Sequence, residues 1–151
     1  MRVSELDHHN QQQAIQIWQL FHSAYEIEAQ VLSLENFPPL NRTILQIQDA
    51  STTFYGGWQD TELVAAMEIE TLDDDHFHIN SFGVSPDHFR KGFGSQLLNG
   101  LLDELVWQRI SVATAVANIP ALHLYKKHGF LPQKEWTTPD NIKLVTLYKD
   151  K

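Results

Sequence analysis

A chain of 151 residues with 42% hydrophobic and 11% aromatic side chains has the make-up of one folded domain spanning 1–151, able to bury about two-thirds of its unfolded surface, and not that of a disordered segment. Its formal charge of −8 argues against nucleic-acid binding by phosphate neutralisation, and no apolar run approaches the roughly 20 residues of a membrane span. Zero cysteines exclude a disulfide framework, a thiolate metal site and a cysteine nucleophile, and together with an N-terminus lacking an apolar signal segment they fit a reducing cytoplasm.

In chain order, "MRVSEL" reads as a short opening strand. "QQQAIQIWQLFHSAYEIEAQ" follows, with Ile15, Ile17, Trp18, Phe21 and Tyr25 mostly three to four apart, the spacing of an amphipathic helix. A second short helix is expected in "VLSLENFPPL", stopped by Pro38 and Pro39. "STTFYGGWQDTELVAAMEIET" predicts two strands, with Gln59-Asp60 favoured over Gly56-Gly57 as the turn. "DDDHFHINSFGV" gives an acidic loop and a strand on which alternation places His76, His78, Asn80 and Phe82 on one face.

Next comes "SPDHFRKGFGS", then a helix expected from about Ser95 to Arg109 with a stripe of Leu97, Leu98, Leu101, Leu102, Leu105 and Val106. "RISVATAVA" is a strand. "NIPALHLYKKHGF" is a helix with Asn118 as N-cap, Pro120 in its first turn and Gly129 as its left-handed stop. "NIKLVTLYK" ends the chain as a strand. Strands, then strand–helix–strand–helix, then a strand predict an α/β fold with a mixed sheet.

The turn "RKGFGS" carries the chemistry most directly. A glycine-containing turn that opens a helix points free backbone N–H groups at one spot, where the helix dipole adds about half a positive charge. Gly92 and Gly94 let the backbone approach a ligand closely, and Arg90, Lys91 and Ser95 add donors. A pyrophosphate suits such a turn; a plain structural turn with a solvated basic pair is the other reading. The Walker pattern is absent, and the third glycine of the dinucleotide fingerprint is replaced by Leu97.

"FGVSPDHFRKGFGSQLL" and "NIPALHLYKKHGF", in this order, resemble the two motifs of the GNAT N-acetyltransferase superfamily, and the likeness extends over essentially the whole chain. The resemblance implies the acyl-CoA N-acyltransferase fold and acetyl transfer from acetyl-CoA to a primary amine, on a small molecule or a peptide. It implies that the backbone of Phe82, Gly83 and Val84 pairs with the pantetheine arm. Arg90, Lys91, Gly92, Phe93, Gly94 and Ser95 would hold the pyrophosphate, and Asn118 would lie near the thioester. Tyr125 would protonate the departing thiolate. Phe89 departs from the family pattern, which often has Gln or Arg there. A homodimer is common among such relatives.

For the base, the family position four residues before Phe82 is His78, a group that titrates near neutrality; a hydrogen-bonded strand histidine is the alternative. A second family position holds Ala113, which closes that route, while Glu68 and Glu70 are further candidates through a water. Asp75, His76 and His78 fall short of a convincing metal set, so no metal is expected. Trp18, Tyr25 and Phe37 are either acceptor-pocket walls or core. The rival on the same fold is a non-catalytic acyl-CoA-binding or regulatory protein.

Overall fold

A computed structural model describes residues 1–151. The elements are β1 (Arg2–Glu5), α1 (Gln11–Val31), α2 (Ile44–Gln48), β2 (Thr53–Gln59), β3 (Glu62–Asp73), β4 (His76–Val84), α3 (Phe93–Glu104), β5 (Arg109–Ala115), α4 (Ile119–Lys127), β6 (Leu131–Thr137) and β7 (Lys143–Asp150). All seven strands form one sheet in the order β1-β2-β3-β4-β5-β7-β6. Neighbours run antiparallel except β4 and β5, which are parallel.

Each sheet face carries helices, as a mixed α/β sheet requires to bury both sides. On one face Ala14, Ile17, Leu20 and Phe21 of α1 meet Ile47, Phe54 and Ala66. On the other, Leu97, Leu98 and Leu101 of α3 pack with Met67, Ile79, Ile110, Tyr125, Phe130 and Leu147. Asn10 starts α1 by accepting from the Gln13 amide at 3.2 Å, and Thr43 and Gln46 form a reciprocal capping box on α2.

Four local expectations are corrected. Pro38 and Pro39 open a 3-10 turn (Pro38–Asn41) instead of stopping a helix, because proline tolerates first-turn positions whose N–H has no partner in any case. The helix expected to reach Arg109 ends at Glu104. There the Trp107 indole N–H donates to the Leu102 carbonyl at 3.0 Å, satisfying one open helix-end acceptor, and Val106 is left 85% exposed.

The third correction concerns β4. Ile79 pairs with Ile69 but Ser81 pairs with Glu68, so a bulge falls at Asn80. It shifts the alternation by one residue. Phe77, Ile79, Phe82 and Val84 therefore all join the core beneath α3, while Gly83 faces Leu20, Phe21 and Ala24 of α1. His78 and Phe82 thus lie on opposite faces. Lastly, β6 was not expected: it is an edge strand, exposed throughout and irregular at Pro132–Lys134, and it has no apolar alternation to read.

Candidate functional site

The parallel pair separates partway along its length. β4 and β5 are paired only from His76↔Arg109 to Ile79↔Val112, whereas β4 stays paired with β3 as far as Val84 and β5 with β7 as far as Ala115. The Ser85 amide bonds the Val64 carbonyl of β3 at 2.8 Å. Antiparallel alternation then turns Gly83 toward β3 and turns the N–H and C=O of Phe82 and Val84 into the gap. One of these groups has a partner: the Phe82 N–H donates to the Tyr25 hydroxyl at 3.3 Å.

The turn before α3 lies just beyond this gap. Arg90 and Gly92 hold positive φ values of 64° and 79°, strained for the arginine and natural for the glycine. No amide from Arg90 through Ser95 donates to another backbone group. A Cβ on Gly94 would sit 3.3 Å from Val84 and 3.4 Å from Phe82, so glycine there lets the helix start press against the β4 edge. A line of unused amides at a helix N-terminus, beside exposed Arg90 and Lys91, fits a phosphate-bearing ligand. The Ser95 hydroxyl is already occupied, with His128 Nε2 2.6 Å away. Burial, Lys127 and Lys149 all lower the His128 pKa, so the ring is neutral at pH 7.

Between the separating ends of β4 and β5 lies a cavity of about 430 Å³, whose lining includes Tyr25, Glu28, His78, Phe82, Asn118 and Tyr125. Tyr125 is 5% exposed, its ring edge-on to Phe82 and Phe130. Burial, with Tyr25 and Glu28 nearby, pushes its hydroxyl well above the usual phenol range. It therefore stays protonated at every working pH. Tyr25 is pushed up to about 12, by burial first and then by Glu28.

His78 Nδ1 lies 2.7 Å from the Ser111 hydroxyl. Burial lowers its pKa against the opposing pull of Glu70, with His76 adding to the decrease, so the imidazole is a neutral acceptor at pH 7. Asn118 has both ends of its carboxamide engaged. Its oxygen accepts from the Ala121 amide at 3.2 Å, capping α4, and its Nδ2 donates to Glu28 Oε1 at 2.9 Å.

Glu28 is the site residue that the sequence reading missed. A signal was present: it continues the inward stripe of Ala14, Ile17, Phe21 and Tyr25 on α1, where an acid has no place in a plain core. Glu68, considered above as a base through water, is unsuited to that role. It is 2% exposed and accepts from both terminal guanidinium nitrogens of Arg42 at 2.6 and 2.9 Å, from Thr52 at 2.6 Å and from Ser81 at 2.9 Å. Burial alone would raise its pKa, but Arg42, Thr52 and Ser81 outweigh burial and hold it below the usual carboxylate range.

Three comparisons bear on this geometry. YedL of Escherichia coli, named as an N-acetyltransferase, is 30% identical over 105 residues, which is 64% of this chain and 66% of YedL. The ribosomal-protein-S18-alanine N-acetyltransferase of E. coli superimposes with a TM-score of 0.76 at 19% identity, over 99% of this chain and 92% of that one. A GNAT family acetyltransferase from Elizabethkingia anophelis, solved with acetyl-CoA bound, gives 0.61 at 16% identity over 89% and 90%. The chain spans between 31% and 66% of the length of the curated relatives it matches. No helix is long and apolar enough to cross a membrane. The acetyltransferase (GNAT) family matches residues 14–130, a stretch that begins inside α1 and ends on the phenylalanine packed against Tyr125. It takes in the gap and both its walls, and the chain belongs to that family.

Proposed function

We propose that residues 1–151 form one N-acetyltransferase domain that moves the acetyl group of acetyl-CoA to a primary amine, in a cytoplasmic setting. The observation that carries this reading is the β4–β5 gap, with unused amides at one end and a buried, protonated tyrosine at the other. The amides of Arg90, Lys91, Gly92, Phe93, Gly94 and Ser95 would take the pyrophosphate. Phe82 and Val84 would pair with the pantetheine arm as an added strand does, while Gly83 serves by bringing β4 against α1.

The reaction is aminolysis of a thioester. The amine loses a proton, its nitrogen attacks the carbonyl carbon, and the C–S bond breaks to release a thiolate whose conjugate acid has a pKa of about 8.5. Tyr125 donates to that sulfur, a role its unbroken protonation suits. Neutral His78, with Nδ1 fixed by Ser111 and the ring on the cavity wall, takes the amine proton through a water. Asn118 acts at one remove by capping α4 and holding Glu28.

Titration calorimetry with CoA is the direct check, and saturable binding is expected; none at millimolar CoA would sink the reading. Thiol release from acetyl-CoA with an amine present separates an enzyme from an acyl-CoA-binding protein. For His78→Ala, kcat/KM at pH 7 should fall about tenfold, below the roughly 100-fold of a base in direct contact. Because the His78 pKa is lowered from 6.5, the wild-type rate should rise through that lowered value and then level. The variant should lose this limb and recover only as the amine deprotonates itself. An unchanged pH profile would remove His78 from the base role.

A further inference from the structure

The cavity holds an unusual charge pattern. Glu28 and Asp140 both line it, and no lysine or arginine does. Phe37, Pro38, Trp136 and Ile142 supply apolar wall. Glu28 Oε1 is fixed by Asn118 at 2.9 Å, and no protein group bonds Oε2, which leaves half of a partly buried carboxylate without a partner. Burial raises the Glu28 pKa, and the Asn118 bond only partly offsets this. A carboxylate short of solvent and short of donors gains most from an arriving cation. Arg42 lines the adjoining recess of about 160 Å³ and is committed to Glu68 through both its terminal nitrogens.

We infer that Glu28 Oε2 receives the ammonium group of the acceptor, and that the acceptor is an amine with an apolar body and no carboxylate on the carbon beside the nitrogen. This rests on the acetyl-transfer reading. An α-carboxylate would enter a cavity that offers it two like charges and no cationic partner, a penalty of the kind that sets specificity by repulsion. The same carboxylate favours attack, because the nitrogen becomes positive as it bonds the carbonyl carbon, and Glu28 faces that developing charge.

Three acceptors of one skeleton test it. Phenethylamine is a free amine, phenylalaninamide mimics a peptide N-terminus, and phenylalanine adds the carboxylate. With acetyl-CoA, at least one of the first two should show kcat/KM about 100-fold or more above phenylalanine; which of the two leads distinguishes a small-molecule acceptor from a peptide one. Glu28→Gln keeps an oxygen for Asn118 and removes the charge. It should lower kcat/KM for the preferred amine at least about tenfold, through KM and kcat together, and shrink the disadvantage of phenylalanine, with CoA affinity and melting temperature unchanged. Phenylalanine accepted as well as the other two overturns the inference. So does amine turnover that is indifferent to Glu28→Gln, which leaves acetyl transfer itself standing. No turnover of any of the three by a CoA-binding protein overturns both.

Discussion

Replacing Tyr125 with phenylalanine is expected to lower kcat about 100-fold while leaving CoA affinity and stability nearly unchanged. The ring is anchored by edge-on contacts to Phe82 and Phe130, with centroids 6.2 and 5.7 Å away, and phenylalanine keeps both. The hydroxyl has no hydrogen-bond partner in the protein and opens on the cavity, so its removal strands no donor or acceptor. What is lost is a hydrogen-bond donor to the departing sulfur, held in the neutral form by burial and by the nearby Tyr25 and Glu28. The pH profile should keep its shape, since the phenol does not titrate in the working range. Thiol release under saturating amine measures kcat, and calorimetry with CoA supplies the control. Equal turnover in the variant would leave Tyr125 as a packing residue only.

The parts of this site that could be read in the sequence are those in which one short stretch carries the whole instruction. Gly92 with a left-handed φ opening α3, Asn118 as the cap of α4 and Gly129 at φ 89° as its stop all depend on neighbours within four residues. The strand before the turn and the leucine stripe after it are legible for the same reason. The bulge at Asn80 is different. It depends on how β4 registers against Glu68 and Ile69 of β3, and nothing within "HFHINSFGV" states it, so simple alternation puts Phe82 on the wrong face.

Long-range polar pairs were hidden in the same way. Glu28 and Asn118 lie ninety residues apart in the chain, and Asn118 read alone looks like a cofactor ligand. In the fold its two ends serve α4 and Glu28. Glu68 read alone is an available acid; in the fold it belongs to Arg42. Edge strand β6 carries no burial pattern at all, and a strand without a buried face leaves no periodic trace.

Arg42→Ala is expected to destabilise the protein by about 3 kcal/mol at pH 7, on the order of a 10 °C drop in melting temperature for a chain of this size. The Glu68 side chain is 3% exposed and that of Arg42 29%, so removing the guanidinium leaves a buried charge with only Thr52 and Ser81 as donors. The pH dependence follows from the lowered carboxyl. A folded-state pKa below the unfolded value contributes stability that is present above about 4.5 and is lost as pH falls through the folded value. In the variant the carboxyl is no longer held down, so the gap between wild type and variant should be widest near neutrality and should narrow in acid. Because Glu68 Oε1 also holds Ser81 beside the Asn80 bulge, the aim of the Phe82 amide into the gap should loosen and CoA affinity should weaken. Melting curves from about pH 2 to 7, a range that crosses the lowered carboxyl, decide the matter. A constant gap across that range would mean that Arg42 acts through packing, on Phe54 beneath its guanidinium at 5.7 Å, and not through the charge of Glu68. The pair Arg42→Met with Glu68→Leu should recover most of the loss, since an apolar pair of similar volume leaves no charge to strand.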